Sequence, residues 1–152
     1  MMTPMRANRG RLLRSDDEID ELLARTRSVA VVGVSADSSR PSRRVAAYLV
    51  DATDWNVYLV NPNLDTALGR DVYPSLADLP EPPDLVDTFR RSEHLPSVAD
   101  AAIAVGAGAL WFQLGLVDDA AAARATEAGL DVVQDHCLRV ELYRWLHKDR
   151  QP

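Results

Sequence analysis

The sequence predicts an α/β fold: one Rossmann-like, doubly wound domain built on a parallel sheet of about five strands. Three observations predict it. Short Val-rich runs alternate with helix-length amphipathic segments along nearly the whole chain, and that alternation implies βαβ crossovers with helices covering both faces of a parallel sheet. The runs are continuously apolar rather than alternating, as strands buried on both faces should be. The chain has 152 residues, of which 47% are hydrophobic, enough for one core without a metal or disulfide staple.

The elements follow in order. Residues 1–14 carry charges with no apolar core behind them, unlike a secretory signal, and read as a flexible tail ahead of a domain over 15–148. Ser15-Asp16-Asp17-Glu18 is a capping box, and Ile19, Leu22 and Leu23 repeat at helical spacing, so a helix is expected over 16–26. The first strand spans 29–34, and a Ser/Asp-rich loop covers 35–40. Pro41 suits the first turn of a helix, where its missing N–H costs nothing. That helix runs to about 51 with Val45, Tyr48 and Leu49 on one face. Asn56 to Val60 is the second strand, stopped by Asn61-Pro62-Asn63.

A loop-rich section follows, with Val72-Tyr73 as a short extended piece and Pro74 to Asp78 as a single helical turn. Pro80, Pro82 and Pro83 exclude regular structure before a third strand over 84–89. A helix over 92–105 ends at Gly106, and Ala109 to Phe112 is the fourth strand. The Ala-rich helix 118–128 stops at Gly129, a residue suited to the C′ position. A fifth strand over 131–134 and a last helix over 138–147 complete the domain.

The formal charge of −6 excludes a general nucleic-acid or membrane-surface binder, since both need a positive field. No apolar run approaches the roughly 20 residues that span a bilayer. Cys137 is the only cysteine, which rules out an internal disulfide and a cysteine-based zinc site and fits a reducing cytoplasm. His94 and His147 have no partner at metal-ligand spacing, so no metal site is expected. Among the 17 basic residues only Lys148 is lysine, so a single arginine carries less information here than in most chains.

In open α/β sheets ligands bind beyond the carboxyl ends of the strands, at the topological switch point. The first such loop has Gly33 alone where a dinucleotide fingerprint needs three glycines. After the second strand the chain offers Asn61-Pro62-Asn63 in place of a ribose-binding acid. Both features count against NAD. The stretch Val29 to Arg44 instead has the parts of a phosphate site, a strand, a polar loop and a helix N-terminus with open N–H groups. Ser35, Ser38, Ser39 and Ser42 supply hydroxyls there, unless they serve only as turn and cap residues. Arg40 is the best placed of Arg40, Arg43 and Arg44 to fork onto phosphate oxygens.

At the third strand's end, Phe89 either stacks on a base or belongs to the core. On an extended backbone at most one of Arg90 and Arg91 faces the crevice. Gln113 offers both donor and acceptor atoms, and Gly115 permits close backbone approach; a structural turn is the alternative. Asp135-His136-Cys137 contains the groups of a thiol catalyst, but adjacent residues rarely fold back on one another as such a site requires.

Over about 28–142 the chain resembles the small stand-alone CoA-binding domain proteins, relatives of the CoA-binding domain of the succinyl-CoA synthetase alpha subunit. The resemblance rests on Val32-Gly33-Val34-Ser35, on Arg40-Pro41-Ser42 followed by Val45-Ala46 and Tyr48-Leu49, and on Val60-Asn61-Pro62. It continues through Val72 to Asp78, Asp84 to Asp87, Phe89 to Glu93, Trp111 with Gln113-Leu114-Gly115, and Asp135 with Cys137. Asn63 stands where a basic residue often follows Asn-Pro in such proteins, and His136 where arginine is frequent.

The resemblance implies coenzyme A, or an acyl-CoA, held across the strand ends. Gly33, Val34, Ser35, Ser38, Ser39, Arg40 and Ser42 would hold phosphates. Asn61, Pro62 and Asn63 would line the nucleotide, and Phe89, Arg90, Gln113 and Gly115 would close the crevice. The chain has no room for the synthetase's second domain, so binding without evident catalysis is the leading expectation. The alternatives are an enzyme, NAD(P)-linked or acting through Cys137 on a CoA thioester, and a CoA-responsive regulatory module. The sequence does not identify a protein partner.

Overall fold

The computed structural model describes residues 9–148. Its strands are β1 (Ser28–Val32), β2 (Asn56–Val60), β3 (Thr66–Ala67), β4 (Arg70–Tyr73), β5 (Leu85–Thr88), β6 (Ala109–Phe112) and β7 (Asp131–Val133). They form one sheet in the order β3-β4-β2-β1-β5-β6-β7. Every neighbouring pair is parallel except β3 with β4. The helices are α1 (Asp16–Arg25), α2 (Pro41–Ala52), α3 (Leu95–Ala104), α4 (Asp119–Glu127) and α5 (Leu138–His147).

Alternation along the strands divides the core into two layers. Val29, Val31, Leu59, Leu85, Trp111 and Val133 pack with residues of α1, α2 and α5 on one face. Ala30, Val32, Val60, Val86, Leu110 and Phe112 pack with α3 and α4 on the other. β1, β5 and β6 are buried along their whole length. Local signals set the helix starts. Ser15 and Glu18 close the capping box at α1, with the Glu18 N–H donating to Ser15 Oγ at 3.1 Å and the Ser15 N–H to Glu18 Oε1 at 3.0 Å. Asp118 caps α4 by accepting from the Ala121 N–H.

The sheet is wider than about five strands. The short extended piece at Val72-Tyr73 becomes β4, which pairs with β2 through Leu59 and Val60, and β3 adds a two-residue antiparallel edge. β1 ends at Val32 rather than at 34 because Gly33 takes φ +92° and turns the chain out of the sheet. The helix expected over 92–105 opens as one 3-10 turn, Ser92–His94, before α3 begins.

The tail expected over 1–14 is corrected at its second half; residues 1–8 lie outside the described residues. Leu12 bridges Val132 in parallel. The Leu13 N–H donates to the Val132 carbonyl at 2.8 Å, and the Val132 N–H donates to the Arg11 carbonyl at 2.9 Å. Leu13 is buried in the core. The free edge of β7 has unpaired backbone groups that need partners, and this segment supplies them.

Candidate functional site

The chain order reverses between β1 and β5: from β1 the sheet grows through β2 on one side and through β5, β6 and β7 on the other. The strand ends meet closely at this point. The Gly33 N–H donates to the Val60 carbonyl at 2.9 Å, and the Phe89 N–H to the Val32 carbonyl at 2.8 Å. Above them opens a cleft of about 640 Å³. Of the residues singled out in the sequence, Gly33, Ser35, Arg40, Ser42, Phe89, Arg90 and Gln113 line it. A recess of about 300 Å³ shares Gly33, Phe89, Arg90 and Arg91 with the cleft and adds Asn61, Pro62, Asn63 and His94.

Side-chain hydrogen bonds hold the loops in shape. The buried Ser42 hydroxyl accepts from the Ser35 N–H at 3.0 Å, and Arg43 Nη1 donates to the Ala36 carbonyl at 2.6 Å. Asp37 accepts from the Ser39 N–H and hydroxyl at 2.9 and 2.7 Å. Those bonds, with the charge of Arg40, hold its carboxyl below the usual range. Asn61 Nδ2 donates to the Val34 carbonyl at 2.8 Å, while its Oδ1 accepts from the Asn63 N–H at 2.8 Å. Gln113, nearly buried, accepts from the Leu138 N–H at 3.1 Å and so ties the end of β6 to the start of α5.

Four residues fall outside both hollows. Val34 is fully buried in the core. Ser38 and Ser39 are exposed, and Ser39 is turned onto Asp37. Gly115, at φ +87°, donates its N–H to Asp135 Oδ1 at 2.7 Å and shapes the loop after β6 from outside the cleft. The expectation for the arginine pair is also corrected. Arg90 and Arg91 both line the cleft and the recess, because β5 ends at Thr88 and strand alternation no longer governs them.

The structure adds Pro41, Val45, Leu114 and Leu116 to the cleft wall, together with Cys137, which the sequence offered only as a candidate thiol catalyst. The sequence gives little signal for Val45, Leu114 and Leu116 as wall residues, since an apolar residue facing a cleft looks like one facing the core. Cys137 is half-buried at the N-cap of α5.

Charge is concentrated against the chain's overall balance. Arg40, Arg90 and Arg91 line the cleft of a chain with formal charge −6. Among the described residues none of the three forms an ion pair or a side-chain hydrogen bond. Arg40 is the N-cap of α2 and makes no side-chain cap. Pro41 has no N–H and the Arg43 N–H donates to the Arg40 carbonyl, so it is the helix dipole and the Ser42 N–H that add to the positive field. Such a site suits an anion with several oxygens and an apolar arm. Among the described residues no group of three or more His, Cys, Asp or Glu side chains could hold a metal ion, and no helix is long and apolar enough to cross a membrane.

Comparison with known proteins extends this description. A family model described as a CoA binding domain matches residues 27–143. The uncharacterized protein YneT of Bacillus subtilis is 40% identical over 126 residues, covering 83% of this chain and 93% of YneT. A Pyrococcus horikoshii protein of solved structure is 35% identical with a TM-score of 0.83, over 88% of this chain and 93% of its own. A second solved structure, cell-free ID.343 from Thermus thermophilus, is 34% identical with a TM-score of 0.81, over 87% of this chain and 99% of its own.

Proposed function

The chain belongs to the CoA-binding domain family, and from that membership we propose that it binds coenzyme A or an acyl-CoA in the switch-point cleft, in the cytoplasm and without chemistry of its own. One observation carries the assignment to this cleft. Three arginines that form no ion pair among the described residues, Arg40, Arg90 and Arg91, converge with a helix N-terminus on a single hollow of an acidic chain. The phosphates of CoA match planar guanidinium forks. The largely apolar remainder of the wall, Pro41, Val45, Phe89, Leu114 and Leu116, suits its pantetheine arm. The volume lies within the range of about 300–1,000 Å³ typical of small-molecule sites.

A thermal-shift panel with CoA, acetyl-CoA, dephospho-CoA, NAD and NADP tests the reading. A ligand at about a hundred times its Kd adds about 2.7 kcal/mol, a rise of about 5–10 °C for a domain of this size. The expected result is a shift with CoA and none with NAD. No shift with CoA, or an equal one with NAD, overturns the proposal.

A further inference from the structure

Beyond Pro41, Val45 and Cys137, which it shares with the cleft, lies a second hollow of about 570 Å³ between α2 and the start of α5. Its remaining lining is Arg44, Ala47, Tyr48 and Arg139. The shared throat offers a proline ring, an isopropyl group and a thiol, none of them charged. The hollow itself offers two cations. The Arg139 guanidinium carbon lies over the Tyr48 ring, 5.4 Å from its centre, a cation–π contact that occupies none of its N–H donors with an oxygen acceptor. Among the described residues neither Arg44 nor Arg139 forms an ion pair or a side-chain hydrogen bond.

A ligand reaching from the cleft across Pro41, Val45 and Cys137 into this hollow therefore meets uncharged groups first and then two solvent-exposed guanidinium groups that have no acceptor among the described residues. We infer that the hollow receives the acyl end of a CoA thioester, and that the acyl group it takes ends in a carboxylate. The inference rests on the CoA reading above. It follows from a division of labour among the arginines: Arg40, Arg90 and Arg91 meet the phosphates in the cleft and recess, and Arg44 and Arg139 meet a separate anion beyond the throat. A plain alkyl end would cover both cations without giving them an acceptor, and taking polar groups out of water without replacement bonds is unfavourable. A carboxylate supplies acceptors in the planar geometry that an arginine fork matches.

Glutaryl-CoA and valeryl-CoA have acyl chains of equal length and differ in the terminal carboxylate, which makes them the discriminating probes. Calorimetric titration of the full chain should show glutaryl-CoA binding at least about tenfold more tightly than valeryl-CoA, the lower end of what a charged hydrogen bond contributes. In the Arg44→Gln/Arg139→Gln protein that preference should fall to about threefold or less, while the affinity for CoA stays at the wild-type value. Equal binding of the two thioesters by the wild type overturns the inference and leaves the CoA reading standing. A double variant that loses affinity for CoA but not for dephospho-CoA also overturns it, because the hollow would then hold a phosphate of CoA itself. If neither CoA nor either thioester binds the wild type, the CoA reading falls and this inference falls with it.

Discussion

A Cβ atom at position 33 would lie 2.3 Å from the carbonyl oxygen of Phe89. The ends of β1 and β5 come together so tightly that only glycine fits between them, and its φ of +92° is one that L side chains rarely adopt. The same residue donates to the Val60 carbonyl, so three strand ends are fixed through one position on the floor of the cleft.

Gly33→Ala should therefore lower stability by about 1–3 kcal/mol for the backbone conformation alone, with a further loss from the contact with Phe89. The expected fall in Tm is at least roughly 3–9 °C for a chain of this length. Thermal unfolding of the two proteins measures it. An unchanged Tm would mean that the strand ends can part freely, and the description of the cleft floor would be wrong.

On the CoA reading, Arg40→Ala should weaken CoA binding by about 1.5–3 kcal/mol, the contribution of a hydrogen bond to a charged group. Ser38→Ala and Ser39→Ala should leave it unchanged, because both residues lie outside the hollows and Ser39 is turned onto Asp37. Titration calorimetry on the three variants separates the cases. A serine variant that loses affinity as Arg40→Ala does would move the phosphate site outward along the loop.

Asp20 joins α1 to α5. Its nearly buried carboxylate accepts from Arg144 at 2.7 and 3.3 Å and from Lys148 at 3.3 Å. Burial pushes the carboxyl up, but the hydrogen bonds from Arg144 and Lys148 outweigh it and hold the group below its usual range. A depressed folded pKa contributes stability that is present above the unfolded value of about 3.9 and is lost as the pH falls through the folded one. Asp20→Asn should cost about 1–3 kcal/mol at neutral pH, and the gap to wild type should close in acid. Urea denaturation across that range tests it. A gap that persists below the folded pKa would assign the loss to packing instead of charge.

How much of this could be read beforehand depends on the kind of signal. Strands such as Asn56–Val60 and Ala109–Phe112 appear at the predicted residues because buried apolar runs bounded by turn chemistry have few other interpretations. Leu12 and Leu13 gave no such signal. Their place is set by the open edge of β7, a partner more than a hundred residues away. The cleft divides in the same way. Gly33 and Arg90 stand out by following strands and Arg40 by preceding the helix that Pro41 opens, positions that the ligand-binding rule for open sheets names in advance, and they line the hollow. Val34 and Val45 look alike in sequence and both belong to the core, yet Val45 also reaches the cleft wall and Val34 does not. The serines divide by hydrogen bonding, with Ser42 turned inward to Ser35 and Ser39 outward to Asp37.

Asp87 carries the least expected chemistry in the core. It sits on β5 in register with Val31 and Trp111, fully buried, and among the described residues neither carboxylate oxygen has a hydrogen-bond partner. Its register partners Val31 and Trp111 belong to the core layer against which Phe89 of the cleft wall packs, so Asp87 sits in the layer below the cleft. Burial pushes its pKa well above the usual carboxylate value, and the nearby Thr88 backbone N–H, outside hydrogen-bond geometry, offsets only part of this. The folded state therefore holds a proton that the unfolded chain releases near pH 3.9. Above that value the folded protein binds more protons than the unfolded one, so its stability declines as the pH rises, by about 1.4 kcal/mol per unit, until the raised folded pKa is passed. Asn has the same shape and does not ionise. Asp87→Asn should flatten the stability curve by that slope and gain on the wild type as the pH rises above the unfolded value of about 3.9, until the raised folded pKa is passed. Chemical denaturation at matched pH values measures both curves. Because Asp20 acts below pH 4 and with the opposite sign, its contribution does not mask the effect. Parallel curves would mean that Asp87 is ionised in the folded protein, and a cation or a donor would then have to be found beneath the floor of the cleft.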